Sequence, residues 1–320
     1  MGDHVLPKGV VGVLRILDKL NPKKAAGAYE QCVRALALRQ VVVCAVVLVV
    51  LALPAVFVTH PIAYIPLLTY LLLFTTSWAY LRAVKKGLLV RALRGPSVTM
   101  QWPEDSTFYD ATNPRARQYV WDKCKQNYYR HGIRVFWLDE AEPEYGIYDF
   151  DLYGYEAGVA EEVSNIYPQA YARGFYEGME AEGQTNIVNL IRCAWAGSQR
   201  YGALVWSGDI PSTWESLRIQ VCAGQQMGLA GIPWWTTDIG GFKGGNGTDP
   251  SFQELLIRWT QWAVFCPVMR FHGCREPQNT PTNHNGQALL NEGAPNEIWS
   301  YGEENYEIMK KFIFIREKMR

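Results

Sequence analysis

Ile133-Arg134-Val135-Phe136-Trp137-Leu138-Asp139 is an apolar run closed by a carboxylate. It is the first of five such runs, and together they decide the fold beyond residue 100. Ahead of it, Asn113-Pro114 opens a helix predicted to reach about Arg130, with proline at the first helical position, where its missing N–H costs nothing. The same alternation continues: a helix over Pro168 to Glu182 with a strand over Ile187 to Ile191, then a strand over Ala203 to Trp206 with a helix from about Ser212 to Met227. Next come a strand over Gly231 to Trp235, a helix over Pro250 to Phe265, a strand over Val268 to Phe271, and a last helix from Glu303 to the end. Strands alternating with helices of about 10–15 residues read as βαβ units on a parallel sheet.

The runs end in Asp139, Arg192, Asp209, Asp238, and Arg270 with His272. Charged and imidazole groups gathered at the carboxyl ends of parallel strands are what the mouth of an α/β barrel requires. A doubly wound sheet would also place a site there, but with a glycine-rich first turn. The glycines between Gly240 and Gly247 have neither the GKS/GKT ending nor the GxGxxG spacing after a strand, and are predicted to form a mobile active-site loop.

The chain has 320 residues and equal numbers of basic and acidic side chains, 31 of each. That balance discourages a nucleic-acid partner, and the 48% hydrophobic content excludes a disordered chain. The neutrality is a cancellation: residues 1–100 carry 12 Lys and Arg against 3 Asp and Glu, and the remainder carries 19 against 28. Two unlike parts therefore meet near Gly95 to Gln101. Seven cysteines with no CxxC pair and no zinc spacing suggest neither a disulfide framework nor a structural metal.

Between Arg39 and Arg82 no Asp, Glu, Lys or Arg occurs. The run is about twice the length of one membrane crossing and divides at Thr59-His60-Pro61, so residues 39–82 are predicted to form two transmembrane helices, Gln40 to Val58 and Ile62 to Leu81, or one re-entrant hairpin. Basic residues on both flanks orient both ends, and the domain beyond, toward the cytosol, giving a multi-pass membrane protein. Residues 1–38 are expected to be a basic amphipathic helical segment and 83–104 a basic linker, leaving 105–320 as the domain with chemistry. A glycan on the sequon Asn246-Gly247-Thr248 would reverse that topology.

Asp139 and Asp209 lie at the ends of strands two positions apart in the alternation. Cleaving a glycosidic bond with retention needs one carboxylate to attack the anomeric carbon and a second carboxyl to protonate the leaving oxygen, about 5 Å away. Aromatic residues crowd both: Phe136 and Trp137 precede the first, and Trp206 and Trp214 bracket the second. Such surroundings would stack sugar rings and raise the pKa of Asp209 by desolvation, while Arg192 would keep Asp139 ionised.

The segment Phe136-Trp137-Leu138-Asp139-Glu140-Ala141-Glu142-Pro143 resembles the nucleophile motif of glycoside hydrolase family 31, and Trp206-Ser207-Gly208-Asp209 resembles its acid/base motif. Residues 191–202 are similar to the family's arginine-bearing strand, and Trp235-Thr236-Thr237-Asp238-Ile239-Gly240-Gly241-Phe242 and Arg270-Phe271-His272-Gly273 to two further blocks. The resemblance implies a retaining α-glycosidase of the α-xylosidase or α-glucosidase type, acting on an α-linked oligosaccharide or glycoside without cofactor or metal. Asp139 would be the nucleophile and Asp209 the acid/base, with Arg192, Trp206, Asp238, Arg270, His272 and Trp137 holding the sugar.

The resemblance begins at about Phe108 and stops within what is similar to the last barrel helix, implying a partial (β/α)8 TIM barrel, about strands 4–8, behind the membrane hairpin. The runs ending at Asp139 and Arg270 would be its open edges. The pattern is read foremost as a gene fragment joined to an unrelated membrane segment, which makes isolated activity doubtful. Beside it stand a non-catalytic membrane-anchored pseudo-enzyme or carbohydrate-binding protein, and assembly with a second chain that completes the barrel.

Overall fold

The structure is a computed structural model that describes residues 83, 86–93, 107–143, 145, 150–276 and 293–319. The amphipathic segment and the hairpin expected over residues 39–82 lie outside the described residues. Among the described residues no helix is long and apolar enough to cross a membrane. The chain packs as two units, 1–86 and 87–320. The second unit starts ahead of the boundary read from composition. In the stretch expected to be a linker, β1 (Arg91–Ala92) pairs antiparallel with β3 (Tyr153–Gly154), and Val90 is buried with Phe108, Tyr145 and Tyr153.

α1 (Pro114–Asn127) starts where the sequence places it: the Asn113 side chain accepts from the Arg115 amide, and Pro114 follows. β2 is Trp137–Leu138, shorter than the predicted run. Among the described residues it stands at the edge of the sheet with a neighbour on one side only, and Ile133 and Val135 ahead of it are exposed. A short α2 (Ala160–Val163) leads into α3 (Tyr167–Ala181), which lies against α1. The approach is close because residue 178 is glycine: a Cβ there would come within 2.3 Å of the Trp121 ring.

β4 (Asn189–Ile191), β5 (Ala203–Trp206) and β6 (Trp235–Thr236) extend the sheet in the parallel order β2-β4-β5-β6, with α4 (Trp214–Leu229) between the last two. Successive side chains point to opposite faces. Leu138, Ile191, Val205 and Trp235 pack with Trp121, Phe175 and Met179 from the helices, whereas Leu190, Leu204 and Trp206 form a separate cluster on the other face. Four parallel strands taken in sequence order, helices on one face, are an arc of a (β/α)8-type barrel.

Two expectations are corrected. Val268 to Phe271 forms no strand: the segment leaves Pro267, which has no N–H, and among the described residues its backbone makes two long bonds beside β6, Val268 N to Trp235 O (3.4 Å) and Ile239 N to Arg270 O (3.3 Å). Among the described residues the sheet edge is therefore β6. The glycine cluster is not a free loop, since β7 (Lys243–Asn246) pairs in parallel with β8 (Cys274–Glu276). α5 (Pro250–Ala263), capped by Asp249, and α6 (Glu303–Lys318) complete the unit. Arg316 of α6 donates to the carbonyls of Val264, Cys266 and Pro267, closing the end of α5.

Candidate active site

Strand register sets the order of groups along the carboxyl edge. Leu138 faces Ile191, Ile191 faces Val205, and Trp206 faces Thr236. Asp139, Arg192, Asp209 and Asp238 consequently all leave the sheet at the same end.

Arg192 takes the acidic turn after β2 in its grip. Its Nε donates to Glu142 (2.8 Å), its Nη2 to both Glu140 and Glu142 (2.9 Å each), and its Nη1 lies 3.4 Å from Asp139 Oδ1. The ion-pair neighbour expected for Asp139 is thus present, but its nearest partners are Glu140 and Glu142. Sequence reasoning gives neither glutamate a role, although three acids within four positions after a strand are a signal that could have found them. Glu140 holds a left-handed φ of 52°, which turns its carboxylate back onto the guanidinium.

Trp137 and Trp206 meet edge to face at 5.5 Å. The Arg270 guanidinium lies 4.8 Å from the Trp137 ring centre and 5.6 Å from that of Trp206, and the His272 ring stands 4.7 Å from Trp137 and is stacked by Phe242. Arg270 also donates through Nη2 to Asp238, whose side chain is wholly buried. Asp238 Oδ2 and Arg270 Nε and Nη1 are buried with no hydrogen-bond partner among the described residues.

Burial pushes the Asp238 carboxyl up to about 7, with Asp209 adding to the rise and Arg270 opposing it. Burial lowers His272 to about 4, reinforced by Arg270, with Asp139 opposing, so its imidazole is neutral at pH 7. These couplings bring Asp139, Asp209, Asp238, Arg270 and His272 into one electrostatic cluster. Asp209 itself is exposed. Of the two tryptophans expected to enclose it, Trp206 is buried in the sheet-face cluster and Trp214 opens α4 half exposed. Among the described residues no group of His, Cys, Asp and Glu is arranged to hold a metal ion.

Residues 30–319 match the Glycosyl hydrolases family 31 TIM-barrel domain. The chain belongs to glycosyl hydrolases family 31. The match starts well ahead of Phe108, where the motifs quoted from sequence begin. An uncharacterized family 31 glucosidase, ORF2 of Pseudescherichia vulneris, is 63% identical over 193 residues, 60% of this chain and 36% of the relative. Alpha-xylosidase A of Aspergillus niger is 33% identical over 275 residues, 77% of this chain and 36% of the relative. Among solved structures, a family 31 α-xylosidase from a soil metagenome complexed with xylose aligns with a TM-score of 0.72 at 62% identity, over 75% of this chain and 36% of that one. The chain spans about a third of the length of these family 31 relatives.

Proposed function

We propose that the protein acts as a retaining α-glycosidase that releases terminal α-xylosyl or α-glucosyl residues. Asp139 attacks the anomeric carbon as the glycosidic C–O bond breaks, while Asp209 gives its proton to the departing oxygen. Asp209, now a carboxylate, then takes a proton from the water that cleaves the glycosyl–Asp139 ester. Trp137, half exposed, offers an aromatic surface to the sugar with Trp206 buried behind it, and Arg192 fixes the turn that carries the nucleophile.

The observation that carries this reading is the buried floor of the site. Asp238 Oδ2 and two Arg270 nitrogens are desolvated without partners among the described residues, while a neutral His272 stands beside them. Groups left unsatisfied in a cluster of this kind suit the hydroxyls of a bound sugar. The α-xylosidases among the relatives favour an α-linked xylose, and Alpha-glucosidase 2 of Bacillus thermoamyloliquefaciens, 32% identical over 225 residues, favours an α-linked glucose.

Release of phenol from an aryl α-xyloside and an aryl α-glucoside by the full chain tests the proposal. Asp139→Asn is expected to abolish turnover of both. Asp209→Ala is expected to spare substrates whose activated leaving groups need no protonation. Equal losses on activated and unactivated substrates would contradict the assignment, and no release by the unmodified protein would favour the binding-protein reading.

A further inference from the structure

Arg275, in the middle of β8, is a fully buried cation whose hydrogen-bond partners among the described residues include no carboxylate. Its Nη2 donates to Ile239 O (2.9 Å) and its Nη1 to Gly241 O (2.8 Å), Gly244 O (3.2 Å) and Ser212 Oγ (3.3 Å). Its Nε reaches Asn296 Oδ1 (2.9 Å) and Tyr301 Oη (3.3 Å). Removing a guanidinium from water without a hydrogen-bonded carboxylate costs several kcal/mol, by order of magnitude. For stability alone an apolar side chain would serve, so the arrangement calls for another reason.

The backbone around Arg275 supplies it. Three of its acceptors are carbonyls of residues 239–244, the turn that begins one residue after Asp238. On the other side the guanidinium abuts Gly273, the residue after His272. A Cβ at Gly240 would stand 2.9 Å from Arg275 Nη2, and one at Gly273 2.7 Å from Cζ. Both glycines also hold positive φ, +89° and +157°. The planar fork therefore fills a slot between two turns, each following a residue of the candidate site, and only glycine leaves room for it. A lysine ammonium, a point donor, cannot span the carbonyls of Ile239, Gly241 and Gly244 at once.

We propose that Arg275 is a positioning residue of the active site, its guanidinium tying the turn behind Asp238 to the turn behind His272 and fixing the two groups relative to each other. Its consequence for turnover rests on the glycosidase reading; its consequence for geometry does not. The cation is also felt electrostatically, acting to lower the pKa of both Asp238 and His272. The other charged groups acting on them are Arg270 on both, Asp139 on His272 and Asp209 on Asp238.

The test compares Arg275→Met and Arg275→Lys in the full chain. The His272 ring protons, assigned by their loss in His272→Gln, are followed by NMR across pH, and kcat and KM are taken per folded protein. In Arg275→Met the His272 midpoint is expected to rise from its position near 4, and kcat/KM to fall about 100-fold through kcat, the effect of misplacing groups by about 1 Å. Arg275→Lys keeps the charge and is expected to hold the midpoint near the wild-type value, yet to shift the ring resonances and leave kcat low. Wild-type ring resonances in a folded variant, or wild-type kcat in Arg275→Lys, would overturn the proposal. A wild-type protein that releases no phenol would defeat the glycosidase reading alone, because the ring resonances still report the position of His272. If Arg275→Met does not fold, the resonances of Arg275→Lys decide.

Discussion

Arg192 and Arg270 stand at the same end of the sheet, each beside a carboxylate, in opposite surroundings. Arg192 shares its donors among Glu140, Glu142 and Asp139, whose side chains are 27%, 36% and 49% exposed. Arg270 meets an Asp238 that is 0% exposed and leaves two of its own nitrogens and one carboxylate oxygen unsatisfied among the described residues. The rim cluster is hydrogen-bonded and its three carboxylates are wetted, so it sets geometry while contributing little stability. The floor pair is desolvated and unsaturated, so it is costly to hold and leaves donors and an acceptor open for a ligand.

The sharpest way to break this contrast is to remove Asp238. Asp238→Ala strands Arg270 as a buried cation and is expected to cost about 3–5 kcal/mol in urea unfolding. A loss below about 1 kcal/mol would mean that the floor is wetter than its burial indicates. Next in size is a pH effect with two opposing parts. Asp238, raised from 3.8 to about 7, binds more protons when folded, so its contribution to stability falls as pH rises through that window. His272, lowered from 6.5 to about 4, binds more protons when unfolded, so its contribution rises with pH through that window. Between about pH 4 and 6.5 the two slopes oppose each other. Urea midpoints across that range are expected to be nearly flat for the wild type, rising with pH in Asp238→Asn and falling in His272→Gln. The same slope in both variants would contradict the floor's electrostatics. The smallest effect belongs to the rim: Glu142→Gln is expected to cost no more than about 1 kcal/mol, and a loss matching that of Asp238→Ala would erase the contrast.

The parallel sheet was legible because β5 is apolar throughout, β4 is apolar apart from Asn189, and helices along the chain have readable starts, Asn113-Pro114 and Asp249-Pro250 among them. The carboxyl-end groups came with that alternation, since register alone brings Asp139, Arg192 and Asp238 to one edge. Val268 to Phe271 misled because an apolar run records burial and says nothing of whether a neighbouring strand offers a ladder. Gly240 to Gly247 misled in the opposite sense. Glycines usually signal freedom, yet here Gly240 admits the Arg275 guanidinium, a partner 35 positions beyond it that local sequence cannot reveal. The exposure of Asp209 escaped for a related reason: Trp206 and Trp214 are near it in sequence, but strand alternation and a helix start turn them elsewhere.

Asp139 as the nucleophile of a retaining reaction is tested most directly by covalent trapping. The full chain is incubated with a fluorinated α-xylosyl fluoride, whose glycosyl-enzyme hydrolyses slowly, and any added mass is located by peptide mass spectrometry. One fluoro-sugar is expected on the peptide containing Asp139 and none in Asp139→Asn. An unlabelled protein, or a label on any other residue, would contradict that role.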